Sequence, residues 1–216
     1  AEAAAEAEAN GLVAGISVID AMKTPMFYLL AFSTGVMWFC ISGVIQHQSI
    51  YLGSDLSLPG PRLAQVFSLF FASSVIGKVL FGWLSDRYSK VNIMLLATVN
   101  LTVGLVVFRM VDGDSIGSIL FYAVVYGIGF SGAFTMIQLM LAELFAGPTY
   151  GKILGVFVFI DTLAGAVGIA ALGQIRVATG SYLPAINLMI GLCLAAFVCV
   201  YIIKRQIEAP QPVTAE

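Results

Sequence analysis

The sequence predicts an all-α membrane protein of six transmembrane helices, and three observations lead there. Of its 216 residues 60% are hydrophobic and only 10% charged, whereas a soluble domain is about one quarter charged. The mean hydropathy is +0.98, and the apolar residues are gathered into runs of the roughly 20 residues that a helix needs to cross a hydrocarbon core about 30 Å thick. The gaps between runs are short and carry the charges, prolines and Gly-rich turns, which leaves no room for a soluble domain and predicts antiparallel neighbours.

Taken in order, the first run is Met26 to Ile50, closed by Leu-Gly-Ser-Asp-Leu-Ser-Leu-Pro-Gly-Pro, and the second is Leu63 to Leu84, closed by Ser-Asp-Arg-Tyr-Ser-Lys. Val91 to Met110 ends at Val-Asp-Gly-Asp. Gly117 to Phe145, Tyr150 to Ile175 and Tyr182 to Ile203 complete the set. The organisation expected is a cytoplasmic linker over 1–22, a six-helix domain over 23–205 and a cytoplasmic tail over 206–216. The opening Ala-Glu-Ala-Ala-Ala-Glu-Ala-Glu-Ala-Asn-Gly lacks a basic and an apolar signal region, and reads as a polar linker from a longer polypeptide.

Basic residues collect on cytoplasmic loops when loops are short. With the N-terminus inside, Lys23, Arg87, Lys90, Lys152, Lys204 and Arg205 are cytoplasmic, and Arg62, Arg109 and Arg176 are outside. This favours both termini in the cytoplasm. The first three and last three spans match in length and loop spacing, as expected of two inverted three-helix repeats, although the two halves show no convincing identity.

Several function classes fall away at this stage. A net charge of -2 with dispersed basic residues is no nucleic-acid surface. Cys40, Cys193 and Cys199 lie in apolar runs at spacings of neither a zinc site nor a disulfide framework, and read as free thiols. Met22 and Met26 have a spacing suggestive of soft copper ligands but no clustered Cys or His, and read as ordinary helix-start residues. No nucleophile and base pair, metal cluster or phosphate loop points to an enzyme, and no cofactor is expected.

Gly82-Trp83-Leu84-Ser85-Asp86-Arg87-Tyr88-Ser89-Lys90 resembles the loop signature of the major facilitator superfamily, G-x-x-x-D-R-x-G-R/K-R/K. Ser89 replaces its second Gly and Val91 its last basic position, as in the weaker copy of a C-terminal half. Ala142-Glu143-Leu144-Phe145 with Pro148 and Gly151-Lys152 is similar to the family's turn between helices 10 and 11. The resemblance covers residues 20 to 205 and implies helices 7 to 12 of a twelve-helix transporter, with an N-terminal six-helix half as partner in an inner (plasma) membrane. It further implies that Asp86, Arg87 and Glu143 latch the cytoplasmic gate. From position alone, Asp86 is expected just past a helix end and Arg87 opposite Glu143; anchoring of topology by Arg87 and Lys90 is the plainer alternative.

Ionisable groups inside spans are costly and are functional candidates by default. Lys78 lies about seven residues, roughly 10 Å, from the end of its span, so it either snorkels or binds an anion. Ser73, Ser74, Gly77 and Lys78 share a helix face suited to a cavity wall, and the resemblance to organic-anion permeases, which carry a cation near this place, favours binding. Asp161 lies near mid-membrane on a stem too short to reach water. It must pair, bind a cation or take up a proton, which leaves proton coupling, an ion pair with Lys78 and a structural hydrogen bond to a neighbouring Ser or backbone carbonyl open.

Tyr122, Tyr126, Phe130, Phe134 and Gln138 form a stripe at every fourth residue, as packing or as a cavity lining. Tyr126 and Phe130 resemble an aromatic pair of monocarboxylate permeases. His47, between Gln46 and Gln48 near the outer end, is an interfacial histidine or, by the same resemblance, a substrate contact. The expectation is a proton-coupled transporter of a small monocarboxylate-like anion, resembling the oxalate/formate type, with Lys78, Tyr126, Phe130, His47 and Ser74 at the substrate and Asp161 carrying the proton. A non-transporting subunit or assembly factor of a larger membrane complex is the alternative.

Overall fold

The computed structural model describes residues 17–209, which contain seven helices and no strand. A short α1 (Val18–Met22) precedes six long helices: α2 (Pro25–Ile50), α3 (Gly60–Arg87), α4 (Lys90–Met110), α5 (Ile116–Leu144), α6 (Tyr150–Thr179) and α7 (Leu183–Glu208). All six are long and apolar enough to cross a bilayer; even the 21 residues of α4 rise about 32 Å. The chain is therefore an integral, multi-pass, all-α membrane protein. The expected linker lies outside the described residues up to position 16, and the tail lies outside them beyond 209.

Local chemistry explains the boundaries. Ser17 caps α1 by accepting from the Asp20 amide, and Asp20 pairs with Lys23 at 2.9 Å. That hydrogen bond from Lys23, helped by one from Ser17, holds the Asp20 carboxyl below its ordinary value. Thr24 accepts from the Phe27 amide just before Pro25, whose missing N–H costs nothing in a first turn. α2 closes with a wide π-helical turn, Tyr51–Asp55, and α6 ends on Gly180 at φ 73°, the left-handed conformation that glycine adopts freely. α3 begins at Gly60 and runs through Arg87, longer at both ends than the apolar run, because Pro61 suits a first turn and Trp83 packs under Arg87 one turn later.

The packing carries the inverted repeat that the sequence conceals. α3 packs on α5 as α6 packs on α2; α4 packs on α5 as α7 packs on α2; α4 and α7 pack on each other; and the α3–α4 and α6–α7 contacts are slight. Exchanging α2, α3, α4 for α5, α6, α7 leaves this pattern unchanged. Glycines make both principal seams tight. A Cβ on Gly127 of α5 would come within 2.5 Å of the Phe70 carbonyl oxygen of α3, and one on Gly168 of α6 would collide with the Phe39 carbonyl of α2. Without a hydrophobic force between helices in lipid, such close approach is what van der Waals association requires. The interior is filled by Phe27, Met37, Met94, Tyr122, Tyr126 and Met140, while Val79, Val103, Phe159 and Val198 point outward, where acyl chains replace water.

Candidate functional site

Lys78 of α3 faces Phe134 of α5, and Phe134 in turn meets Trp38 of α2. The Lys78 side chain is exposed, its ammonium lies 5.2 Å from the centre of the Phe134 ring, and it forms no ion pair among the described residues. Trp38 of α2 meets Phe134 edge-on at 5.8 Å. Phe130, one turn before Phe134, is tilted against it at 6.5 Å and stacks on Phe70 of α3 at 5.6 Å. Trp38, Phe130 and Phe134 are only half-buried, so parts of their faces remain open.

Three residues expected beside Lys78 lie elsewhere. Ser73 and Ser74 are buried at 3% and 5% exposure, and the Ser74 hydroxyl donates to the Phe71 carbonyl of its own helix at 2.8 Å. That face of α3 turns into the seam with α5, where Gly77 abuts Ser131. Four residues leave Ser74 and Lys78 about 40° apart around the helix, enough to put Ser74 in a seam and Lys78 on its rim. Tyr126 is fully buried, its hydroxyl donating to the Cys40 carbonyl at 3.3 Å and its ring stacked between Tyr122 and Phe70. It packs inside this half and does not share a surface with Lys78.

Asp161 is 4% exposed. Its Oδ1 accepts from the Thr34 hydroxyl of α2 at 2.7 Å, and Thr34 Oγ1 also lies 3.3 Å from the Ala31 carbonyl. Lys78 and Asp161 are not paired: one faces a ring on α5 and the other a hydroxyl on α2. The Thr34 arrangement serves either form of the acid. A carboxylate accepts the Thr34 proton; a carboxylic acid can donate to Thr34, which then turns its proton to Ala31.

At the end bearing the signature loop, Glu143 of α5 pairs with Lys90 at the start of α4. Arg87 instead stacks over Trp83 at 4.2 Å, so the expected Arg87–Glu143 pair is absent. The cause is the length of α3: its last turn includes Asp86 and Arg87, and Arg87 falls over its own i−4 neighbour while Lys90 begins the helix that touches α5. Asp86 is exposed within that last turn and not beyond the helix end.

The other end holds a network absent from the sequence reading. Arg176 of α6 makes a two-pronged pair with Asp55, at 3.1 and 2.8 Å, and lies over the Tyr182 ring at 5.6 Å. His47 is half-buried between a carbonyl and a hydroxyl. Since the Ile169 oxygen can only accept, Nε2 donates to it at 2.9 Å, and in the neutral ring Nδ1 must accept from the Tyr182 hydroxyl at 2.9 Å. Gln48 accepts from Tyr122 at 2.8 Å and leaves a buried Nε2 without a partner. Nothing in the sequence joins positions 55 and 176; only the inferred topology, which puts both at one membrane face, could have suggested it. Among the described residues, no three His, Cys, Asp or Glu side chains gather as metal ligands.

Residues 27–216 match the Major Facilitator Superfamily. Over 162 residues the chain is 26% identical to an agnestins efflux protein of Paecilomyces divaricatus, covering 74% of this chain and 36% of that protein. It is 32% identical over 65 residues to the hexose-6-phosphate:phosphate antiporter of Escherichia coli K12, covering 30% of this chain and 14% of the relative. For the antiporter of Salmonella typhimurium the values are 31% over 87 residues, 38% and 19%. The chain thus spans about a third or less of the length of these curated relatives.

Proposed function

Because the chain belongs to the major facilitator superfamily, we propose that it is the C-terminal six-helix half of a proton-coupled secondary transporter that moves a small organic anion by alternating access. The observation that carries this reading is Lys78: a cation well inside a span, exposed beside α5, with an aromatic ring beneath it and no carboxylate paired with it among the described residues. Such a charge is expensive to hold in a membrane unless it lines a watered cavity. An N-terminal half would supply the opposite wall, and the 86–90 end and both termini would face the cytoplasm of a plasma membrane.

In this mechanism an anion exchanges the weak attraction between Lys78 and Phe134 for a full ion pair. Asp161 carries the coupled proton, and the direction of its hydrogen bond with Thr34 reverses as it is taken up. α2 connects the two events, for Thr34 and Trp38 are one turn apart on it. A rotation of α2 that follows the Thr34–Asp161 bond therefore moves Trp38 against Phe134. The cytoplasmic charges, Glu143 with Lys90 and the exposed Asp86 and Arg87, would engage the other half when the inner gate is shut.

Lys78→Gln tests the reading. The variant should insert and fold normally and lose anion binding by about ten- to a hundredfold, the worth of one charge-assisted hydrogen bond, while Lys78→Arg keeps part of it. Unchanged anion affinity in Lys78→Gln would refute the assignment.

A further inference from the structure

The surroundings of Lys78 restrict what kind of anion fits, given the anion-transport reading on which this inference rests. The charge is a single ammonium. A lysine offers one compact positive centre without the planar fork by which arginine grips phosphate, and among the described residues Lys78 is the only basic one within the middle of a span. A monoanion matches it. The two seam hydroxyls turn to their own helices: Ser74 donates to Phe71 at 2.8 Å and Ser131 to carbonyls of its own helix at 3.1 Å.

What the site does offer is ring surface. Phe134 underlies the ammonium at 5.2 Å, Trp38 stands against Phe134 at 5.8 Å, and Phe130 lies next along α5 at 6.5 Å. All three are half-buried, and their fixed neighbours hold them: Phe130 by Phe70, Trp38 and Phe134 by each other. A short aliphatic acid would satisfy Lys78 and leave these faces against water. We propose that the anion bound at Lys78 is an aromatic monocarboxylate, its carboxylate on the ammonium and its ring edge-on or offset against Phe134 and Trp38, the geometries that aromatic pairs favour.

The probe is radiolabelled benzoate, with acetate, cyclohexanecarboxylate and inorganic phosphate as competitors, in equilibrium binding to the full-length transporter. Benzoate should bind about tenfold more tightly than cyclohexanecarboxylate, which matches it in charge and size but has no π-face, and acetate and phosphate should compete more weakly still. Phe134→Leu should erase the preference for benzoate over cyclohexanecarboxylate, Phe134→Tyr should retain it, and Lys78→Gln should weaken binding of every carboxylate by about ten- to a hundredfold. If acetate or cyclohexanecarboxylate binds as tightly as benzoate, with Lys78→Gln still weakening all of them about ten- to a hundredfold, the aromatic assignment is overturned and the anion reading stands. Benzoate affinity left unchanged by Lys78→Gln, or absence of binding by any of the four anions, overturns both.

Discussion

The α3–α5 and α2–α6 seams occupy equivalent places in the two repeats, yet they handle an intramembrane charge in opposite ways. In the first, glycines draw the backbones together and Lys78 is left outside, on an aromatic rim. In the second, glycines again draw the backbones together, but Asp161 lies within the contact and is held by Thr34. A long stem can leave a seam and a one-carbon stem cannot. The scaffold is symmetric and the side chains are not, so the division proposed between an anion site and a proton site would come from side chains placed on equivalent helices, not from the fold itself.

The most severe way to break the comparison is to fill the seams. Gly127→Val and Gly168→Val each drive a side chain into a backbone carbonyl that cannot rotate away, so each should cost at least the 1–3 kcal/mol typical of overpacking. Thermal unfolding of the detergent-solubilised protein should show similar large losses for both. A loss confined to one would show that the seams are not mechanically equivalent.

Smaller but more specific is the hydroxyl on α2. Thr34→Val removes the partner of Asp161 without changing shape, and should weaken proton-driven uptake while leaving equilibrium anion binding within about threefold, since Thr34 does not touch the Lys78 cluster. Combined with Asp161→Asn the effects should be markedly non-additive, as for residues in direct contact. Additive losses would separate Thr34 from the proton step.

The smallest effect is expected where the repeats are alike. α2 and α5 both end in an acid, Asp55 and Glu143, answered by Arg176 and Lys90 at opposite ends of the bundle, as suits an anion at a helix C-terminus that would otherwise be destabilising. A double-mutant cycle on Lys90 and Glu143, both about one-third exposed, should give a coupling of about 0.2–1 kcal/mol. The same cycle on Arg87 and Glu143 should give none, because Arg87 rests on Trp83.

The six spans were legible because bilayer thickness leaves helices few choices of length, and both intramembrane charges were legible because each is costly enough to stand out in an apolar run. Pairings were not. Whether Ser74 or Lys78 faces a seam depends on helix rotation, which apolar residues on every side of α3 do not record. Tyr126 and Phe134 belong to one stripe with a period of four, and its drift around the helix puts the first in the core and the second on the rim. Arg87 looked free to reach Glu143 only because the apolar run stops at Leu84, whereas the helix continues through Arg87. Trp38, which ties the Thr34 turn to the Lys78 cluster, carried no sequence signal beyond being aromatic in an apolar helix.

The central claim, that the two equivalent seams do two different jobs, is tested most directly by measuring pH-gradient-driven uptake and substrate exchange side by side in proteoliposomes of the full-length transporter carrying Lys78→Gln or Asp161→Asn. The account predicts a split: Lys78→Gln loses both activities, whereas Asp161→Asn loses uphill uptake and continues to exchange substrate. Parallel loss of both activities in the two variants, or proton-driven uptake by Asp161→Asn at the unmutated rate, would contradict it.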